Sequence, residues 1–515
     1  MKSKLHHYTI ILIMGFASLL TGCKDDLSTL DTHKLPTVLV DTTGQSHLSV
    51  FQFDKLTIDP KLEIINSDNH SFSYEWSINL EPRKSEYTVI GTAKKLDYVV
   101  NFVPTKPAFF HQVLLKVTDE NTGIVYLQEW PLSIRNAIGE GIVVVETYDD
   151  INSDLSHIMS PLVTPNYTED KIRFKVYSSV NGAKIPGLVN NLIFTQFTSA
   201  YVLLGSTNQS LFTIKTLDYT LGVQDAGLFY APLATYGASH LATIVQNELM
   251  VKDGKLYANW LQISRFGLPL PNAYTIPSIV GINSRNILEI TLNFYSEELG
   301  RFIFQPRFAS FGDRVMRPVA SAAGPFNPAQ VPNMLNVAAG VNNGGDFIHV
   351  LKDKATGKHG LYILDAGSWD PETGLAIDSK PKKYADLSGA PAIEQATKFV
   401  VLDDQQVILY ATKDKIYAIM YGGSTPNYAL RYTATAGDEI ASLKVYHQAD
   451  YPKRGTSGEP YFLRNGKQLI LGTNKGMTGK IHVLPLINQG LAEIDLANIK
   501  TYEGFGKILF TTTQL

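Results

Sequence analysis

The chain has 515 residues, a formal net charge of −3 and no basic block, so it lacks the electrostatic footprint of a nucleic-acid binder. Its single cysteine rules out an internal disulfide framework and a cysteine-rich metal site. Aromatic residues at 10% set against charged residues at 18% point to a β-rich extracytoplasmic protein.

The first element is a leader. Lys2, Lys4, His6 and His7 form a basic opening, and Tyr8 to Leu20 is an apolar run broken only by Thr9, Gly15 and Ser18. A spanning helix needs about 20 apolar residues, so this run reads as the h-region of a secretory signal and not as a membrane span. Leu20-Thr21-Gly22-Cys23 resembles the bacterial lipobox, in which cleavage precedes a cysteine whose thiol carries diacylglycerol. Several acyl chains, at about 0.8 kcal/mol per buried methylene, would hold the protein on a membrane. Lys24-Asp25-Asp26 resembles the acidic export tag of Bacteroidetes lipoproteins, which implies display on the outer face of the outer membrane. No later apolar stretch approaches spanning length, so the expectation is an anchored protein and not a threaded one.

Residues 1–22 are thus expected to be a signal peptide, and 23–46 the acylated cysteine with a polar tether. Thr37-Val38-Leu39-Val40 offers a rival reading there, as a first strand.

Residues 47–137 read as a β-sandwich of immunoglobulin size. Period-two alternation places Phe72, Tyr74, Trp76 and Ile78 on one strand face, and Val113, Leu115 and Val117 repeat it before the turn Asp119-Glu120-Asn121-Thr122-Gly123. Tyr74-x-Trp76 with Val117-Thr118-Asp119 and Gly123 resembles a PKD domain, and the whole opening is similar to PKD-like lipoproteins of Bacteroidetes. The early Gly-Pro turn of true PKD domains is missing, so the likeness extends only to the PKD-like label. Trp76 has a functional reading as an exposed sugar platform, but its alternation with Phe72 and Tyr74 predicts a core position. Asn136, Gly139 and Gly141 break the strand pattern and mark a domain boundary.

Residues 138–515 repeat a two-strand unit: an apolar run, a polar turn, and an aliphatic–aromatic answering strand. The pairs are 142–145 with 155–158, 201–204 with 211–214, 249–251 with 256–259, 290–294 with 301–304, 347–351 with 361–364, 407–410 with 416–419, and 469–471 with 481–484. Hairpins at a spacing of roughly 50 residues are what four-stranded propeller blades produce. The predicted fold class is therefore all-β, an Ig-like, PKD-like β-sandwich followed by a seven-bladed β-propeller. Lys507 to Thr513 reads as a strand able to close the ring beside Ile142–Val145, which protects the sheet edges.

The chemistry is sparse. No Gly-x-Ser-x-Gly elbow and no His-Glu-x-x-His occurs, and Ser457 sits in a glycine-rich loop. His349, His447 and His482 lie singly in or beside strands. Asp150-Ile151-Asn152-Ser153-Asp154 has the opening spacing of a calcium loop, but Leu155 replaces the required glycine and Pro161 the final glutamate, so a hairpin turn fits better. Glu297-Glu298 and Asp403-Asp404 are neighbours in sequence; on a strand their side chains would point opposite ways, and in turns they read as solvated charge. Gly504-Phe505-Gly506 lacks the third glycine of a dinucleotide loop. The loops 318–336 and 366–389 are the candidate binding segments. Trp369, outside any strand pattern, suits either stacking on a sugar or peptide or pinning its own loop.

No cofactor, no metal and no catalytic residue is expected. The family resemblance implies a surface lipoprotein of the outer membrane acting as a non-catalytic binding or accessory component of a SusC/SusD-type importer, with a glycan or peptide as ligand. The rivals are a propeller-based glycan hydrolase or lyase, whose acids would come from different blades, and a structural adaptor for the importer.

Overall fold

The computed structural model describes residues 35–42, 46–66, 70–106, 108–197, 200–243, 248–259, 265–269, 280–282, 291–305, 317–342, 344–365, 367–373, 376–448 and 464–514. The chain divides into two compact units, residues 1–135 and 136–515.

In the first unit, alternation builds a sandwich. Strands Leu48–Phe51, Val125–Arg135, His111–Asp119, Phe72–Asn79 and Tyr87–Gly91 lie side by side in that order. Phe72–Asn79 pairs antiparallel with His111–Asp119, so the apolar positions of both reach one face. Leu48–Phe51 joins Val125–Arg135 in parallel, whereas the other pairings of this sheet are antiparallel. Two antiparallel pairs cover the buried face: Thr37–Asp41 with Lys61–Ile65, and Lys55–Ile58 with Leu96–Val99. The stretch read as a tether to residue 46 therefore contains a strand. Val38 is buried in the core, and that apolar anchor outweighs the polar composition around it.

Trp76 is fully buried and stacks on Trp130 at 5.5 Å, with its Nε1 donating to the Ala93 carbonyl at 2.9 Å. It is a core residue, not a sugar platform. The turn after Val117 is held by the buried Asp119. Burial by itself would raise this carboxyl, but hydrogen bonds from Thr122, His70 and the Asn121 amide bring it down to about 2. Gly123, at φ 76°, supplies the left-handed residue that the turn requires.

The second unit is a β-propeller. Seven sheets follow one another among the described residues, and we number them as blades I to VII, with strands A to D running from the ring axis outward. Blade I takes Lys507–Gln514 as A and Gly141–Thr147, Asp154–Met159 and Lys171–Arg173 as B, C and D. Blade II is Asn191–Phe197, Ala200–Ser206, Leu211–Lys215 and Leu221–Gln224, and blade III begins His240–Thr243, Glu248–Lys252 and Lys255–Asn259. Blade IV is Val280–Ile282, Thr291–Ser296, Arg301–Gln305 and Arg317–Pro318. Blade V is Met334–Val341, Phe347–Asp353, His359–Leu364 and Pro381–Asp386. Blade VI is Lys398–Leu402, Val407–Ala411, Lys415–Met420 and Asn427–Thr433; blade VII is Glu439–Val445, Gln468–Lys475, Thr478–Ile487 and Lys500–Phe505.

All seven sequence-predicted hairpins are the B–C pairs of these blades, in registers such as Ile142↔Ile158, Met250↔Tyr257 and Leu471↔His482. Closure runs as expected: Lys507–Gln514 pairs antiparallel with Gly141–Thr147, with Ile142 opposite Thr513. Cores form between sheets and not within them. Ile142, Val144 and Ile158 of blade I pack with Ile470, Ile481 and Val483 of blade VII, so the last blade is sealed onto the first.

Candidate functional site

Because successive strands in a blade are antiparallel, all A–B and C–D connections emerge at one end of the ring, and all B–C turns and D–A connections at the other. The chain enters strand B of blade I at Gly141 and ends after strand A at Gln514, so both are at the A–B end.

At that end, blade V carries an extra hairpin in its C–D connection, Ser368–Trp369 paired with Ala376–Ile377. Trp369, predicted to lie outside any strand, is thus part of a two-stranded ladder whose strands, of two residues each, are too short to show a strand pattern. Asp365 ties the root of this hairpin, its carboxylate accepting the Gly367 and Lys380 amides at 2.9 Å each. Gly367 has φ 68°, and a Cβ there would meet the Ile377 carbonyl at 2.5 Å, so only glycine fits. Asp370 accepts from the Glu372 amide and the Thr373 hydroxyl, and those bonds hold its carboxyl below the usual range. The loop expected over 366–389 is therefore a braced hairpin followed by strand D.

The A–B turn of blade VI, at the same end, holds Asp403 and Asp404. Asp403 Oδ1 lies 3.7 Å from His447 Nε2, a residue of the A–B connection of blade VII. Asp404 Oδ2 accepts from Gln489 Nε2 at 3.3 Å, while its Oδ1 is buried with no hydrogen-bond partner among the described residues. Burial and then the neighbouring Asp403 push the Asp404 carboxyl up. The pair is not the solvated charge expected from sequence. The turn directs one acid inward, toward Gly466. Gln405 Oε1 accepts the Gly490 amide at 2.7 Å and the His447 carbonyl accepts the Thr513 hydroxyl at 2.8 Å, so the turn is tied to blade VII and its neighbour to the closing strand. No local motif announces this grouping, since its members are far apart in sequence.

The remaining sequence candidates are structural. Asp150 to Asp154 forms the B–C turn of blade I, where Asp149 accepts the Ile151 and Asn152 amides and Lys184 Nζ, and Asp150 pairs with Lys507 at 2.8 Å. Glu297 pairs with Lys354 at 3.1 Å. His349 is fully buried between Asn293 and Asn336, and burial drives it down to about 3; His482 is held between Thr473 and Thr501. Gly506 donates its amide to Glu146 at 2.6 Å. Among the described residues, no group of three or more His, Cys, Asp or Glu is placed to hold a metal ion. Among them too, no helix is long and apolar enough to cross a membrane. Leu20, Thr21, Gly22, Cys23, Lys24, Asp25, Asp26 and Ser457 lie outside the described residues.

Residues 23–188 match the model of the PKD-like family. That match takes in the sandwich and strands B, C and D of blade I. No curated protein matches the chain. Among solved structures, the chain is similar to a quinonprotein alcohol dehydrogenase-like protein from Bacteroides thetaiotaomicron, at 12% identity over 93% of this chain and 98% of that one, with a TM-score of 0.48. It is also similar to PorZ, a surface component of the type-IX secretion system of Porphyromonas gingivalis, at 9% identity over 72% of this chain and 47% of that one, with a TM-score of 0.33. A third is the extracellular domain of a putative one component system from B. thetaiotaomicron, at 9% identity over 91% and 85% and a TM-score of 0.25.

Proposed function

We propose that this chain is a lipid-anchored protein of the outer membrane, displayed outside the cell, that binds a glycan or peptide as a non-catalytic accessory to a SusC/SusD-type importer. The observation that carries this reading is the run Leu20-Thr21-Gly22-Cys23-Lys24-Asp25-Asp26, which joins an acylation motif to an acidic export tag ahead of a closed ring. A propeller presents loops on a rigid frame, and the braced hairpin bearing Trp369 is the contact element this reading assigns to the ligand. The Cys23→Ala variant is expected to lose acyl labelling and to leave the membrane fraction. Retention in that fraction would refute lipid anchoring. A pull-down from surface-labelled cells is expected to recover a SusC/SusD pair; recovery of periplasmic proteins alone would remove the importer.

One observation favours a second reading, a propeller enzyme acting on glycans. Asp403, Asp404 and His447 come from two blades, and a carboxyl raised by burial and then by a neighbouring carboxylate is an arrangement acid–base chemistry uses. If turnover of a glycan is detected, Asp404→Asn should reduce kcat by about 100-fold or more while leaving the melting temperature in place. Unchanged kcat would return the cluster to a structural role.

A further inference from the structure

Glu248 opens strand B of blade III and is wholly buried. One of its carboxyl oxygens meets the Thr195 hydroxyl of strand A in blade II, and the other lies 2.7 Å from Asn259 Nδ2 of strand C in its own blade. Thr195 and Asn259 are also fully buried. No cation reaches this carboxyl among the described residues. Strand A of blade II carries no titratable side chain, and strand A of blade III carries only His240, at the opposite end of the ladder from Glu248. Strand C offers Lys255 and Tyr257, and strand B itself offers Lys252, which pairs with Asp253 at 3.1 Å.

An ionised carboxylate facing only neutral donors in a buried seam bears an uncompensated desolvation cost. Asn259 Oδ1, buried beside it without a donor among the described residues, is an acceptor a carboxylic O–H could satisfy after a half-turn of the amide, in place of the bond from Nδ2. We propose that Glu248 stands in the folded ring as a neutral acid pinning blade II to blade III, and that loss of its proton loosens this seam. Burial pushes the carboxyl up to about 7, in the same sense as the geometry. Glu248 stands at the A–B end of its strand, the end that also carries Trp369 and Asp404, so the proton acts on the end of the ring that holds the candidate site. Other buried acids are differently placed: Glu146 receives a backbone amide from Gly506 and a hydroxyl from Ser156.

The sign of the effect is fixed. A glutamate whose folded pKa lies above its unfolded value contributes stability that is complete below about pH 4.5 and is lost as pH rises through about pH 7. Glu248→Gln keeps the shape and cannot ionise. Measured on the full chain in detergent, the melting temperature of Glu248→Gln minus that of the wild type should grow between about pH 4.5 and about pH 7 and then level off; taking the difference cancels the opposite slope from buried histidines. Amide exchange in residues 191–197 and 248–259 should rise with pH more steeply in the wild type than in the variant. A flat difference, or equal exchange, overturns the proposal. Should Glu248→Gln fail to fold, infrared titration of the double variant Glu146→Gln/Asp404→Asn, which lacks the other two acids that burial pushes up among the described residues, decides: a protonated-carboxyl band that disappears around neutrality supports the pin, and no such band refutes it.

Discussion

Deleting residues 507–515 is expected to abolish the cooperative unfolding of the ring while leaving the transition of the sandwich in place. The deleted strand is not an appendage. It is the innermost strand of blade I, paired along Gly141–Thr147, and it carries Ile508 into the core shared with blade VII. Asn474 brackets Ile508 from blade VII, donating to its carbonyl at 2.9 Å and accepting its amide at 2.8 Å. Gln514 donates to the carbonyls of Ile138 and Gly139 and accepts from the Tyr219 hydroxyl at 3.3 Å; that hydroxyl in turn meets His157 Nδ1 at 2.9 Å. Each buried polar group left unpaired costs about 1–3 kcal/mol, and several would be orphaned at once along a newly exposed sheet edge. The net stability of a domain is about 5–15 kcal/mol, so the sum is comparable to all that the ring has to lose. Differential scanning calorimetry should show one transition missing. Gln514→Ala alone should lower that transition by a few degrees, because the backbone ladder remains. A truncated chain that keeps both transitions at wild-type temperatures would mean the ring does not depend on closure.

The parts of the fold legible in sequence are those buried on both faces. B and C strands sit mid-blade, and runs such as Ile142–Val145 and Val407–Tyr410 are apolar throughout because a neighbouring sheet covers each side. Inner and outer strands are harder to see. Leu221–Gln224 is half exposed, and Lys398–Leu402 mixes exposed and half-buried positions, so neither shows a continuous run nor a clean alternation. The site follows the same division. Trp369 could be found as an unusual residue, but its hairpin could not, since the strands have two residues each. Asp404 and His447 meet only because two blades are adjacent, and Glu248 is informative only because Thr195 comes from another sheet. Pairings across blades leave no mark at short range in sequence.

Trp76→Ala is expected to cost the sandwich about 3–5 kcal/mol, the range for removing a large aromatic from a packed core. The indole is fully buried against Trp130 within the sandwich core, so its removal leaves a cavity there. For a domain of this size about 1 kcal/mol shifts the melting temperature by about 4–8 °C, which places the fall at about 12–40 °C. Phenylalanine separates the contributions. Trp76→Phe keeps most of the stack but leaves the Ala93 carbonyl without its donor, whereas Trp130 Nε1 has no acceptor among the described residues, so Trp130→Phe gives up no hydrogen bond there. Trp76→Phe should therefore be the more destabilising of the two by about 1 kcal/mol. Calorimetry of the sandwich transition checks the order. An exposed sugar platform would give the reverse pattern, with Trp76→Ala losing ligand and keeping its melting temperature, and that outcome would contradict the buried stack at the centre of the sandwich.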